Sequence, residues 1–347
     1  MVDLHAACLG GAAYDLAGLR IAAQAFFDGT SDPHKHNGYF GNFTGLWRQR
    51  LEAGRFQEAE AIWQLALNPA LAWETQHRDL RIHKGTPFYW WGMTAILAGN
   101  LNKGYALMHQ ALEEDKRSFP DEYTRHPPFA FASMDYPKVE QAFRVWLLRQ
   151  AEFLEGLIGE YNRMNSRSFD LEQFRKRFLK STPTLDSVFL FSHAISHFLA
   201  IDNIPEYARK SPFAGQMEMN LLFDVLLVVD RAIREKNPMK SGFPTFLDQA
   251  EFLAQKAQLR LTRDKLREVN AVGKTDVGRK LTQILNREFT FSDGSTLGGA
   301  EIDVCVAYAL RNYGAHNVEP LEEVWQRFGD VRQRCLNTLF LTVESLY

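Results

Sequence analysis

Apolar residues recur three or four positions apart along most of this 347-residue chain, which is the spacing of one buried helix face. The strict alternation of apolar and polar residues that is typical of strands is nearly absent. Its best example is Phe-Thr-Phe-Ser at 289–292, which runs into Asp293-Gly294 and predicts either a short hairpin or an ordered loop. The pattern therefore predicts an all-α protein.

Two segments of the first half share a spacing of small residues. Gly54 and Gly99 lie 45 residues apart, each is followed five positions later by a small residue (Ala59, Gly104), and Ala-Leu follows seven positions after that. A Gly turn followed by small residues on one face lets two helices approach closely, as in helical-hairpin repeats. The pattern resembles the second half of a tetratricopeptide repeat, although that family repeats about every 34 residues. Two unrelated hairpins with the same packing would give the same pattern.

The second half of the chain predicts a bundle of helices. The longest covers about 214–235 and stops before Asn237-Pro238, and others follow near 245–258, 263–269, 277–287, 299–313 and 320–346. Proline at 205 and 212 interrupts the helical pattern between the two halves. We therefore expect a tetratricopeptide-like helical domain at 1–205 and a helical bundle at 206–347.

Composition excludes several classes of protein. The net charge of −2 gives no overall basic field for duplex DNA. Three widely spaced cysteines form neither a disulfide framework nor a CxxC metal site, so we expect a cytoplasmic protein in which Cys305 and Cys335 are buried apolar residues. The expectation is also that no segment contains the roughly 18 apolar residues that cross a bilayer, and hence that the protein binds no membrane.

The most informative segment reads Arg-Asn-Tyr-Gly-Ala-His at 311–316. In one straight helix a separation of five residues would place Arg311 and His316 about 140° apart. A helix that ends at Gly314, which tolerates left-handed backbone angles, would return His316 towards Arg311. The spacing thus predicts a helix–turn–helix site. In a competing interpretation Arg311 is a surface residue paired with Glu319 or Glu322, and His316 caps a helix end.

This segment resembles the signature of the HEPN superfamily, in which Arg, a polar residue, three further residues and His lie between the last two long helices of a bundle. The resemblance extends over 212–347. It implies a metal-independent endoribonuclease, without cofactor, whose catalytic residues are Arg311, Asn312 and His316. It also implies a homodimer through the C-terminal domain, and a role as a toxin or antiviral-defence effector whose N-terminal domain binds a protein partner or regulator.

The chemistry matches these residue types. Histidine exchanges protons near neutral pH and can take the proton of a ribose 2′-hydroxyl, and the arginine fork matches phosphate oxygens. The expected products are a 2′,3′-cyclic phosphate and a 5′-hydroxyl. One chain supplies a single Arg and a single His, so we expect the predicted helices at 299–313 of two copies to face each other. The alternative is a catalytically inactive helical scaffold that binds proteins.

Other residues are weaker candidates. Basic side chains of the C-terminal domain either form a solvated face or contact RNA phosphates: Arg260, Arg263, Lys265, Arg267, Lys274, Arg279 and Lys280. His193 and His197 have the four-residue spacing of metal ligands, but Ala194 stands where the zinc-protease pattern has Glu. His34 and His36 lie in a polar loop, so no metal site is predicted.

Overall fold

The computed structural model describes residues 4–9, 15–29, 38–205, 209, 211–238, 245–270, 273–316 and 319–347. Within these ranges all regular structure is helical, which confirms the all-α prediction. The segment at 289–296 forms an isolated bridge between Thr290 and Thr296 around a turn at Gly294, whose φ is 79°. The apolar alternation there therefore belongs to an ordered turn and not to a strand.

Contacts divide the chain into two compact units. The first comprises Met1–Phe131 and Pro137–Phe143, and the second comprises Ala132–Tyr136 and Arg144–Tyr347. This division lies well before the boundary at 205 that the prolines predicted. The reason is that the helices between 144 and 202 pack on C-terminal ones: Tyr161 donates a hydrogen bond to Glu344 at 2.5 Å, and Gln333 donates to the Leu157 carbonyl at 2.9 Å.

The first unit is built from helical hairpins. Its helices are α1 (Leu4–Leu9), α2 (Leu16–Asp28), α3 (Gly41–Glu52), α4 (Phe56–Gln76), α5 (Gly85–Leu97), α6 (Leu101–Ser118) and α7 (Pro127–Ala132). Short 3-10 turns lie at Tyr123–Arg125 and Tyr136–Lys138.

The two predicted hairpins use glycine as the spacing indicated. Gly54 (φ 70°) and Gly99 (φ 84°) make the left-handed turns between α3 and α4 and between α5 and α6. Ala59 is fully buried on α4. On α6 a Cβ at Gly104 would stand 3.0 Å from the Gly92 carbonyl oxygen and 3.0 Å from the Ile96 nitrogen, both backbone atoms of α5. The close helix approach is therefore confirmed, whereas membership of a repeat family stays a prediction.

The second unit contains the longer helices. They are α8 (Gln141–Asn165), α9 (Leu171–Phe174), α10 (Leu185–Asp202), α11 (Pro212–Lys236), α12 (Phe246–Lys256), α13 (Arg263–Val269), α14 (Lys274–Leu285), α15 (Gly299–His316), α16 (Glu322–Gln326) and α17 (Phe328–Leu346). A π-helical turn, Arg175–Leu179, extends α9, and a 3-10 turn, Thr182–Thr184, precedes α10.

Helix α15 is the central helix of the second unit. It packs against α11, α12, α13, α14 and α17, and every residue at 301–310 is buried. The prediction that 299–313 faces a second copy is therefore wrong for most of its length, because neighbours within the unit already cover this helix. Partial exposure is confined to its two ends within the described residues: Gly299 and Ala300 at the start, and Arg311, Asn312 and Gly314 in the last turns.

The last predicted helix, 320–346, is two helices. The chain breaks at Arg327 (φ −124°, ψ 30°), between α16 and α17. Trp325 on α16 packs so closely on α11 that a Cβ at Gly215 would lie 3.0 Å from its Cγ, while Phe328 at the start of α17 is buried. The break lets these two aromatic residues pack in different places.

One helical segment, Thr182–Asp202, is long and apolar enough to cross a membrane by length and composition, with a mean hydropathy of 1.3. Polar residues such as Asp186, His193 and His197 interrupt this segment, so it is not a run of 18 apolar residues. Of its apolar window 67% is buried inside the protein, and Phe191, Ile195 and Phe198 are fully enclosed. This burial is typical of a core helix.

Candidate functional site

The candidate motif lies at the end of α15, and α15 continues through it. The helix runs from Gly299 to His316 without ending at Gly314, so the predicted break is wrong. The reason is packing: a Cβ at Gly314 would stand 2.7 Å from Cδ1 of Phe223 on α11 and closer still to other carbons of that ring. Glycine at 314 serves close approach to α11 and not a change of chain direction.

A continuous helix separates the two ends of the motif. Five residues correspond to about 140° around the axis, so Arg311 and His316 of one chain start from different helix faces. The backbone of His316 is helical, and its side chain lies outside the described residues. One chain therefore does not offer Arg311 and His316 from a common face of α15.

Arg311 is partly buried beside an acidic residue. Its side chain is 25% exposed, and its Nη2 lies 3.9 Å from Oδ2 of Asp230 on α11. The guanidinium carbon lies 5.9 Å from the centre of the Phe246 ring. The competing sequence interpretation is wrong about the partner of Arg311. Within the described residues Glu319 accepts a hydrogen bond from Lys274, and Glu322 accepts one from Gln326.

The donors of Arg311 remain uncommitted. A separation of 3.9 Å is longer than a hydrogen bond, and Arg311 Nε is buried without a hydrogen-bond partner in the described part of the chain. Asp230 instead accepts a hydrogen bond from Arg234 Nε at 2.8 Å. A buried donor without a partner costs free energy, so this guanidinium is suited to bind an anion.

Asn312 occupies the adjacent face of α15. Its Nδ2 donates to Oδ1 of Asn270 at 3.3 Å, at an exposed position. Burial raises the pKa of the neighbouring Tyr308 hydroxyl, and Asn312 partly offsets this rise. The side chain is thus loosely held and accessible beside Arg311.

Four of the predicted RNA-binding residues are engaged in partly buried contacts. Arg260 donates through Nε and Nη2 to the carboxylate of Glu301, at 3.1 and 3.0 Å. The remaining contacts of this group are Arg263 with Asp248 and Glu251, Lys265 with Ser295 and Asp293, and Lys280 with the backbone carbonyls of Glu268 and Asn270. These side chains tie neighbouring segments of the second unit together.

The other three basic residues are paired only at the surface. They are Arg267 with Asp264, Lys274 with Glu319 and Arg279 with Asp276, and both members of each pair are exposed. Exposed ion pairs of this kind contribute little to stability. Of the seven candidates, Arg267, Lys274 and Arg279 are the ones whose ion pairs lie wholly at the surface.

Sequence reasoning missed a buried polar network behind the motif. Asp303 on α15 is almost fully buried and accepts hydrogen bonds from Arg334 (2.8 Å) and Asn337 (3.1 Å) on α17 and from Asn165 (2.9 Å) on α8. Burial raises the pKa of Asp303, and its donors oppose that rise. The network fixes α15 against α17 and α8. The signal in the sequence was an acidic residue directly before the apolar run at 304–310.

Two buried cysteines and a histidine pair lie outside the motif within the described residues. Cys305 and Cys335 are fully buried, as predicted, and burial raises the pKa of both thiols. His193 and His197 bring their Nε2 atoms to 3.0 Å, and burial lowers the pKa of His193 to about 4. His34 and His36 lie outside the described residues.

No family model, curated protein or solved structure matches this chain. The similarity to the HEPN superfamily therefore depends on the residues of the 311–316 segment and on the helices around it.

Proposed function

We propose that the second unit is a metal-independent endoribonuclease of the HEPN type. The observation that carries this proposal is the state of Arg311. It is the candidate whose guanidinium is partly buried yet makes no hydrogen bond within the described residues, and it belongs to the segment with the family-like spacing. A phosphate oxygen would satisfy these donors in the bidentate manner that arginine favours.

The proposed reaction is a transfer of the phosphate from the 5′-oxygen to the 2′-oxygen of the ribose. His316 takes the 2′-hydroxyl proton, the 2′-oxygen attacks phosphorus, and the bond from phosphorus to the 5′-oxygen breaks. The products are a 2′,3′-cyclic phosphate and a 5′-hydroxyl that receives a proton. Arg311 neutralises charge on the phosphorane, and Asn312 orients the phosphate. Because one α15 presents Arg311 and His316 on different faces, a homodimer through the second unit supplies the complete site.

The test measures RNA cleavage and thermal unfolding on the same variants. His316→Ala and Arg311→Ala should each lower the rate at least about a hundredfold while the melting temperature stays near that of the wild type. Arg311→Lys should not restore full activity, because a point charge lacks the guanidinium fork. Arg287→Ala, at an exposed arginine outside the motif, is the matched control and should leave the rate unchanged.

Metal dependence supplies an independent criterion. An Arg and His site needs no metal, so cleavage should persist in EDTA. Full loss in EDTA with recovery on adding a divalent ion would refute the mechanism. If the melting temperature and the cleavage activity fall together in the Arg311→Ala and His316→Ala variants, these residues are structural.

A catalytically silent scaffold is the second candidate, and the contact of Arg311 with Asp230 and Phe246 favours it. In that case Arg311 serves to balance the charge of a buried carboxylate. No cleavage product would form with the wild type, and Arg311→Ala would lower stability. The proposed setting of the nuclease is a cytoplasmic toxin or antiviral-defence effector, in which the first unit binds a protein partner or regulator.

A further inference from the structure

Helix α11 carries an exposed stripe beside a face that packs against other helices. Phe213 is 75% exposed, Met217 42% and Leu227 38%, whereas most other residues of α11 lie against α10, α12, α15, α16 or α17. Asn220 and Arg231 are also exposed and Asp224 is half-buried. We call these six residues the α11 stripe: Phe213, Met217, Asn220, Asp224, Leu227 and Arg231.

The spacing within the α11 stripe is four, three, four, three and four residues. This is the alternation that keeps one seam of a helix facing a partner helix in a coiled coil. A single exposed apolar residue needs no explanation, but three of them in register on one seam indicate an interaction surface. The partner therefore presents a helix.

The polar residues indicate what that helix is. If a second α11 runs antiparallel with its centre near residue 222, Met217 lies opposite Leu227, Asn220 opposite Asp224, and Phe213 opposite Arg231. The oxygen of Asn220 already accepts from Gln216 at 3.0 Å, which leaves its amide hydrogens for the second copy's carboxylate. Arg231 would stack on an aromatic ring, a favourable cation–π contact. The α11 stripe is thus complementary to itself.

A parallel arrangement lacks this complementarity. It would place Asp224 opposite Asp224 and Arg231 opposite Arg231, and like charges directly opposed are destabilising. A two-fold axis perpendicular to the plane of the two helices generates the antiparallel pair. Charge complementarity therefore selects the antiparallel arrangement.

We propose that two copies of this chain pair antiparallel along the α11 stripe and that this pairing completes the site. The second half of this statement rests on the proposed nuclease function. The two-fold axis stands perpendicular to the plane of the two α11 helices, so features on one flank of the stripe lie on the same face of the dimer. Phe223, which contacts Gly314, and Asp230, which lies 3.9 Å from Arg311, are seven residues apart on one such flank. Both α15 ends therefore open onto one face, across which a single RNA strand can run.

The test uses engineered cysteines, because the native Cys8, Cys305 and Cys335 are all buried. Chains with Met217→Cys are mixed with chains with Leu227→Cys under mild oxidation. The proposed register brings these positions opposite each other, so a disulfide-linked heterodimer should form. Leu227→Cys alone should not link, because the two copies of residue 227 would be about 15 Å apart along the helix, beyond the roughly 7 Å limit for a disulfide.

Light scattering at about 10–100 μM checks the assembly without a cross-link. Wild type should be a dimer, and Leu227→Glu should raise the dissociation constant at least about tenfold, since it places charge in the seam. Val145→Glu, at an exposed apolar residue of α8, is the matched control and should remain a dimer. A wild-type monomer, or linking of residue 217 to residue 217, overturns the proposed pairing.

RNA cleavage separates this inference from the proposed function. A cross-linked dimer without nuclease activity would leave the interface standing and refute the nuclease. An active wild type whose activity survives Leu227→Glu as a monomer would refute the pairing and leave the nuclease standing. Loss of both dimer and cleavage in Leu227→Glu, with unchanged melting, supports both.

Discussion

The substitution Gly104→Ala tests the close approach of α5 and α6. A Cβ there would lie 3.0 Å from the Gly92 oxygen and 3.0 Å from the Ile96 nitrogen. Neither backbone atom can rotate away, so the two helices would have to separate. Overpacking of this kind costs about 1–3 kcal/mol, and alanine returns up to about 1 kcal/mol through helix propensity. The expected net loss is about 1–2 kcal/mol of unfolding free energy.

Urea unfolding followed by tryptophan fluorescence is the appropriate assay. Trp90 and Trp91, two of the seven tryptophans of the chain, adjoin Gly92, so part of the signal comes from the α5–α6 hairpin. Gly156→Ala in α8 is the control, because nothing lies within 4 Å of a Cβ at that position. It should gain up to about 1 kcal/mol. A Gly104→Ala protein as stable as the wild type, or more so, would refute the close contact.

Three further predictions follow from the second unit. Burial raises the pKa of Glu218 from 4.5 to about 7. The stabilising contribution of its neutral form is therefore complete below pH 4.5 and is lost as the pH rises to 7. Urea unfolding across this range should show a fall of up to about 3 kcal/mol in the free energy of unfolding, and Glu218→Gln should remove this pH dependence. Gly314→Ala should lose about 1 kcal/mol or more in a thermal melt, because the methyl group meets Phe223; a gain in stability would contradict that packing. Cys305 and Cys335 should react with a thiol reagent only after unfolding, and labelling in the native state, read by mass spectrometry, would contradict their burial.

Much of the helical architecture could be predicted because it depends on local pattern. Helix α13 has the predicted bounds, and α11 extends only two residues beyond its predicted start and one beyond its predicted end. Gly54 and Gly99 make turns because a left-handed angle is a local requirement. Features fixed within a few residues were therefore accessible from the sequence.

Features that depend on distant partners were not accessible. Glycine can end a helix or admit a neighbour, and Phe223, which decides the matter for Gly314, lies far away in the chain. Prolines mark a loop whether or not the flanking helices share a core, so the prolines at 205 and 212 do not by themselves define the contact units. In the same way, the sequence predicts Arg260 as a phosphate ligand, whereas in the structure it donates a hydrogen bond to Glu301, 41 residues later.

The predicted RNA-binding residues also depend on partners that are distant in the sequence. A sequence reports charge, but whether a charge is available depends on its partner. The sequence does not distinguish Lys265 from Arg279. The side chain of Lys265 is only 17% exposed and pairs with Asp293, whereas Arg279 pairs with the exposed Asp276 on its own helix. Only the three-dimensional pairing distinguishes a structural cation from one that can meet RNA.

The Asp303–Arg334 pair has a consequence for the protein during its synthesis. Arg334 follows Asp303 by 31 residues, so at about 5–20 residues per second the ribosome needs roughly 2–6 s to supply the partner of this carboxylate. During that interval α15 has neither its counter-ion nor α17 to cover its apolar face. The nascent chain thus exposes the apolar face of α15 until α17 is added, and in this interval chaperones or misassembly compete with folding.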